Sequence, residues 1–263
     1  LSPHMPVAEN LPAGCRRLER AERKSRVAEL VAMLHLEGLE GLRPRQLSGG
    51  QQQRTALARI LASEPRAILL DEPFAALDSH LKWQLEPELK DVLDAFGGVT
   101  LWVTHDRGEA YRNCPRVCVM EAGCTAPVRD MGSLMADPRT VGAARLSGCR
   151  NCMKAEKGEA AGCVRLPEWG VTLRCAAPWR EGVTALGIRE EQVRPAEPGE
   201  ENAVECALVR LVEDVSMTTA LLRPLDAGPG APLLRMAMEK GTILTVGETL
   251  RVVLPPEDLM LLE

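Results

Sequence analysis

Four consecutive apolar residues, Ala67-Ile68-Leu69-Leu70, run straight into Asp71-Glu72-Pro73. An apolar run this short and unbroken suits a parallel strand covered on both faces, since only such a strand dispenses with polar alternation. Val99-Thr100-Leu101-Trp102-Val103-Thr104 is a second such run, leading into His105, and Arg116 to Met120 reads as a third. Between them the spacing turns helical. Val27, Leu30, Val31 and Leu34 share one face of a helix over Arg16 to Glu37, and Leu85, Leu89, Val92 and Phe96 share one face over Leu81 to Phe96. Pro87 inside the latter predicts a kink or a late start. Gln51 to Ser63 is a further helix, opening on Ser48-Gly49-Gly50-Gln51, a serine with glutamine three residues on, the pattern of a reciprocal amino-terminal cap. Helices alternating with apolar strands imply a layered α/β sheet.

After about residue 150 the pattern changes to short β-rich segments broken by turns: Val171–Arg174, Val183–Ile188, Val204–Val212, Leu221–Arg223, Leu233–Met236 and Leu250–Leu254. With 263 residues the chain has room for two domains of ~100–150 residues. The expected division is an α/β domain over 1–147 and a mostly-β accessory domain over 148–263, a small barrel or sandwich.

The balance of 32 basic and 37 acidic residues, a formal −5, argues against recruitment to nucleic acid or anionic lipid, and seven aromatics leave little for base stacking. No window approaches the ~18–20 apolar residues needed to span a bilayer, so a membrane role would be supplied by a partner. The nine cysteines, from Cys15 to Cys206, are odd in number and lack a repeated spacing, which suits a reducing cytosol better than a disulfide framework. Cys149 and Cys152 form one C-x-x-C, but Cys163 and Cys175 do not supply the second close pair a zinc site needs. The chain opens on Leu1 with no basic segment or apolar stretch that would direct export, and the absence of an initial Met leads us to expect that an amino-terminal part is missing.

Two constellations carry chemistry. In Leu47-Ser48-Gly49-Gly50-Gln51 the glycines permit close backbone approach, the serine hydroxyl can donate, and the new helix aims free N–H groups and its positive dipole end at an anion. The bland alternative is a capped helix after a glycine turn. Asp71 and Glu72 stand at the carboxyl edge of a strand, where α/β sheets bind ligands. Asp71 can hold Mg²⁺ directly or through water, and Glu72 can polarise a water for attack on a phosphoryl group. The alternative is an acidic turn. His105, after the next strand, could donate to a terminal phosphate; a histidine there is more often structural.

In order and spacing, LSGGQQQR (Leu47–Arg54), ILLDEP (Ile68–Pro73), Ala76-Leu77-Asp78 and Val103-Thr104-His105-Asp106 resemble the signature motif, Walker B, D-loop and switch histidine of the ATP-binding-cassette (ABC) ATPases. The resemblance runs from residue 1 to about 150. It implies that two such subunits clamp two ATP molecules, each site combining Walker B of one chain with the signature motif of the other. Glu72 would then be the catalytic base, His105 the γ-phosphate switch, and Asp71 the Mg²⁺ residue. Ser48, Gly49, Gly50 and Gln51 would contact nucleotide across the dimer, Asp78 would line the interface, and residues 1–47 would form the helical subdomain that leans on transmembrane permease subunits. The resemblance further implies an extracytoplasmic solute-binding protein and a peripheral place on the cytoplasmic face of the membrane.

One departure is large: no G-x-x-x-x-G-K-[ST] occurs, so the Walker A loop that cradles the β- and γ-phosphates is absent and the chain by itself is expected to be inactive. Gly148-Cys149-Arg150-Asn151, Trp169-Gly170-Val171-Thr172-Leu173, Gly187-Ile188-Arg189 and Leu254-Pro255-Pro256-Glu257 resemble the accessory β domain, of oligomer-binding-like barrel type, of oxyanion-importer ATPases, first the molybdate and next the sulfate type. Two rivals stand beside that expectation. One is a non-catalytic regulatory module offering its signature face in trans while the β tail senses an anion; the other is a soluble cassette ATPase acting on ribosomes or DNA, against which the acidic balance and the β tail tell.

Overall fold

β1 (Ala67–Asp71) and β2 (Val99–Val103) pair in parallel, Ala67 opposite Val99 and Asp71 opposite Val103. They belong to a computed structural model that describes residues 1–13, 19–75 and 78–263, the side chain of Leu81 excepted. The chain divides into two units, Leu1–Asn113 and Cys114–Glu263.

In the first unit the strands are joined by α4 (Ser79–Phe96) and accompanied by α1 (Val7–Asn10), α2 (Arg20–Met33), α3 (Gly49–Leu61) and α5 (Arg107–Asn113). Alternation along the strands decides what is covered. Ile68 is fully buried and Leu70 and Trp102 half-buried in a core with Leu30, Leu57, Leu61, Leu85 and Leu89, while Leu69, Val99, Leu101 and Val103 point the other way and are exposed, Leu69 by 71%. The runs read as strands covered on both sides; among the described residues only one side is covered. α4 begins at Ser79, earlier than its spacing indicated, and continues through Pro87 to Phe96. Proline there lacks the N–H that would reach the Trp83 carbonyl. The expected helix over Arg16 to Glu37 is found from Arg20 to Met33, and Arg16 to Leu18 lie outside the described residues.

The second unit opens with two short antiparallel ladders, β3 (Arg116–Val117) with β6 (Arg129–Asp130) and β4 (Met120–Glu121) with β5 (Cys124–Thr125), so the run Arg116 to Met120 forms two strands rather than one. Two capped helices follow, α6 (Met131–Ala136) and α7 (Val141–Leu146). Three antiparallel sheets complete it. One orders β17 (Met260–Leu262), β11 (Ala185–Ile188) and β7 (Asn151–Lys154). The next orders β10 (Val171–Arg174), β9 (Cys163–Leu166) and β8 (Glu156–Lys157). The largest orders β12 (Arg194–Pro195), β16 (Thr249–Val253), β13 (Ala203–Glu213), β14 (Met217–Pro224) and β15 (Leu234–Glu239). They surround one apolar core in a barrel-like arrangement. The residue where β-rich patterning begins, 148, falls inside this unit. Val141 and Ala144 of α7 pack with Ala185 and Leu262, which joins α7 to the sheet that follows it.

At the centre of that core Trp169 is fully buried and its ring N–H donates to the Pro232 carbonyl at 2.8 Å. Trp169→Ala should destabilise the second unit by about 3–5 kcal/mol, the usual effect of emptying a buried aromatic site, measured by denaturant unfolding followed by circular dichroism.

Candidate functional site

The parallel register brings the ends of β1 and β2 side by side, so the residues that follow each strand meet. Glu72 donates its backbone N–H to the Val103 carbonyl at 2.9 Å, one rung beyond the strand, and then turns with φ of +47°. That left-handed conformation is uncommon for a residue with a Cβ and is held in place by its surroundings. Here the holding bonds are visible: Oε1 of Glu72 accepts from the backbone N–H of His105 at 3.1 Å and from its Nδ1 at 2.7 Å. Beyond Glu72, Phe74 is buried against the Trp102 ring, centroids 5.8 Å apart, and the Pro73 carbonyl accepts from Gln53 Nε2 of α3 at 2.7 Å. The acidic turn is thereby fastened on both sides.

The loop carrying His105 is fixed by a charge network that the sequence did not disclose. Thr104 Oγ1 donates to Glu109 Oε2 at 2.8 Å and accepts from the Asp106 N–H at 3.0 Å. Asp106 Oδ1 caps α5 by accepting from the Gly108 and Glu109 N–H groups. Lys82 of α4 reaches across to Asp106 Oδ2 and to the buried Glu109 Oε1, each at 2.5 Å. Burial pulls the Lys82 ammonium down, but its hydrogen bonds to Asp106 and Glu109 outweigh this and the net shift is upward; Lys82 correspondingly holds the Asp106 carboxyl low. One turn along α4, the buried Glu86 accepts from Arg112 Nε and Nη2 at 2.7 and 2.8 Å and from Asn113 Nδ2 at 2.7 Å. These bonds overcome the desolvation that would raise Glu86, leaving its pKa below the ordinary carboxylate value. Lys82 and Glu86 are four apart on one helical face, but their partners stand 24 and 26 residues away, and nothing local announces that pairing.

At the start of α3 the reciprocal cap forms: Ser48 Oγ accepts from the Gln51 N–H at 3.3 Å, and Gln51 Oε1 accepts from the Ser48 N–H at 2.9 Å. The amides of Gly49 and Gly50 have no intrahelical acceptor by geometry and complete the positive end. Ser48 and Gly49 are exposed. Gly50 is buried, and a Cβ there would come within 2.9 Å of Leu85 Cδ1, so its missing side chain serves the close approach of α3 to α4. Within this chain the helix start and the acidic strand tip belong to separate elements. Asp71 ends β1 with its side chain in solvent. Asp78 is exposed and accepts the Lys82 N–H at its carbonyl, starting α4, while Ala76 and Leu77 of the same motif lie outside the described residues.

Among the described residues no cluster of three or more His, Cys, Asp or Glu could enclose a metal ion. Asp71 by itself offers one exposed carboxylate, enough for Mg²⁺ only where phosphate and water would fill the remaining positions.

Residues 1–75 match the family described as ABC transporter. The sulfate/thiosulfate import ATP-binding protein CysA 2 of Chromobacterium violaceum is 39% identical over 272 residues, covering 98% of this chain and 72% of that protein. The spermidine/putrescine import ATP-binding protein PotA of Rubrobacter xylanophilus is 37% identical, covering 87% and 63%. The sn-glycerol-3-phosphate import ATP-binding protein UgpC of Paracoccus denitrificans is 38% identical, covering 76% and 57%. The chain thus spans between about three-fifths and three-quarters of the length of these relatives.

The hydrogen bond to Glu72 raises the His105 pKa above 6.5. The charged pair is therefore present below that raised pKa and is lost as pH rises through it. Histidine NMR titration should show His105 titrating above the ordinary value, and Glu72→Gln should bring it back down.

Proposed function

This chain belongs to the ABC transporter ATP-binding family, and we propose from that premise that it contributes the signature face and the hydrolytic strand tip of an import ATPase. The observation that carries this is the Glu72–His105 pair at the joined ends of β1 and β2. In this reading Glu72 would be the general base that takes a proton from the attacking water, and His105 would orient its carboxylate and meet the γ-phosphate. Ser48, Gly49, Gly50 and Gln51 present hydroxyl, amides and helix dipole to the nucleotide of a second subunit, with Asp78 at that interface. Asp71 would hold Mg²⁺, which supplies charge neutralisation to the transferring phosphoryl group.

The phosphate loop is to come from outside these 263 residues, since G-x-x-x-x-G-K-[ST] is absent from them. The bare apolar side of β1 and β2, with Leu69, Val99, Leu101 and Val103 exposed, supports this as the surface that a further layer would cover. Residues 1–47 are the helical region that meets permease subunits, and residues 148–263 the accessory β domain. No helix among the described residues is long and apolar enough to cross a membrane, and we place the chain peripherally on the cytoplasmic face, with a solute-binding protein delivering cargo on the other side. For cargo we favour a tetrahedral oxyanion. The tail resembles first the molybdate type, but the relatives named above include no molybdate importer, and the alignment over 98% of the chain with a sulfate/thiosulfate import protein supports sulfate within that class.

In an assembly that includes a phosphate loop, Glu72→Gln should lower steady-state ATP turnover by about 10²–10⁴-fold, the span of a positioned general base, and leave ATP binding intact; turnover at the original rate would remove Glu72 as the base. The 263-residue chain alone should hydrolyse no measurable ATP in a phosphate-release assay.

A further inference from the structure

α7 ends at Leu146, and a Ser147-Gly148 turn, with Gly148 at φ of +94°, sends the chain back into β7. Cys149 sits on this reversal, its N–H donating to the Ala144 carbonyl at 2.9 Å. Its side chain is 1% exposed, with Sγ 3.3 Å from the Asn151 carbonyl and 3.4 Å from the Ile188 carbonyl. Cys152 is the second residue of β7, opposite Gly187, and is only half-buried. The turn folds the two thiols towards each other, Sγ to Sγ 3.9 Å. A disulfide bond is ~2.05 Å long, so the two sulfurs would have to approach by about 2 Å to close one.

We propose that Cys149 and Cys152 form a redox-modification site, a vicinal dithiol that a hydroperoxide oxidises to an intramolecular disulfide. The two sulfurs have different roles because their surroundings differ. The contact with the Cys149 sulfur and the nearby Arg145 charge in the last turn of α7 together outweigh burial and hold the Cys152 thiol low. Cys149 is held high by the same contact and by burial. Cys152, half-buried where Cys149 is buried, is therefore the more readily deprotonated and the more accessible sulfur, the nucleophile of the pair. It attacks the peroxide O–O bond, giving a sulfenic acid and, with one proton, water when the oxidant is hydrogen peroxide. Cys149 Sγ then attacks Cys152 Sγ, the S–O bond breaks, and the Cys149 proton leaves with the hydroxyl as a second water. Two thiols lose two electrons and the peroxide gains them. The site lies in the second unit and is independent of any role in nucleotide chemistry.

The test treats the full chain with hydrogen peroxide, blocks remaining thiols with iodoacetamide and maps peptides by mass spectrometry. Trypsin cleaves after Arg150, between the two cysteines, so the disulfide reads as a linked peptide pair lighter by two hydrogens. The expected first product is that pair, and dithiothreitol should return both thiols. In Cys149→Ala, Cys152 should stop at a sulfenic acid captured by dimedone; in Cys152→Ala, Cys149 should stay unmodified at the same dose. Recovery of alkylated Cys152 at a dose that oxidises the exposed Cys118 and Cys124, or a linkage of Cys152 to any other cysteine, would overturn the proposal.

Discussion

The parallel pairing of β1 with β2 is the constraint on which the candidate site depends. With Asp71 opposite Val103, the residues after each strand emerge together, and the Glu72 N–H makes one further ladder bond before the chain turns. A slip of one residue in this register would send Glu72 and His105 to opposite sides. The left-handed Glu72 backbone is sustained because four bonds converge on it, one through its N–H, one from the Ala75 N–H to its carbonyl and two from His105 to its carboxylate.

A second line of constraint runs from the helix start to the same loop. Gly50 lets α3 press against Leu85 of α4. α4 in turn presents Lys82 to Asp106 and Glu109, which hold the loop bearing His105. The residues that would contact nucleotide at the start of α3 are thus linked by packing and ion pairs to those that would act on it at the strand tip. Glu109 is buried and bonded by Lys82 and Thr104, so removing Lys82 would strip this buried carboxyl of its ion-pair partner.

The second unit is organised on different terms. Its order comes from antiparallel ladders around Trp169, and its early helix α7 is held by a small cluster with Ala185 and Leu262. The C-x-x-C lies where that helix turns into β7, so burial and charge act unequally on two neighbouring thiols.

Much of this was legible beforehand. The capping pattern at Ser48 and Gln51, the apolar runs ending in Asp71-Glu72 and Thr104-His105, and strands such as Val171–Arg174 follow from local rules of capping and periodicity, which depend on residues a few positions apart. The tertiary structure alone decided that Gly50 faces Leu85, that Glu72 adopts a positive φ, that Lys82 and Glu86 meet partners across the fold, and that Val141 and Ala144 of α7 pack with Ala185 and Leu262 of the second unit. Close packing and charge pairing join residues distant along the chain, and periodicity carries no information about which distant residue will be the neighbour.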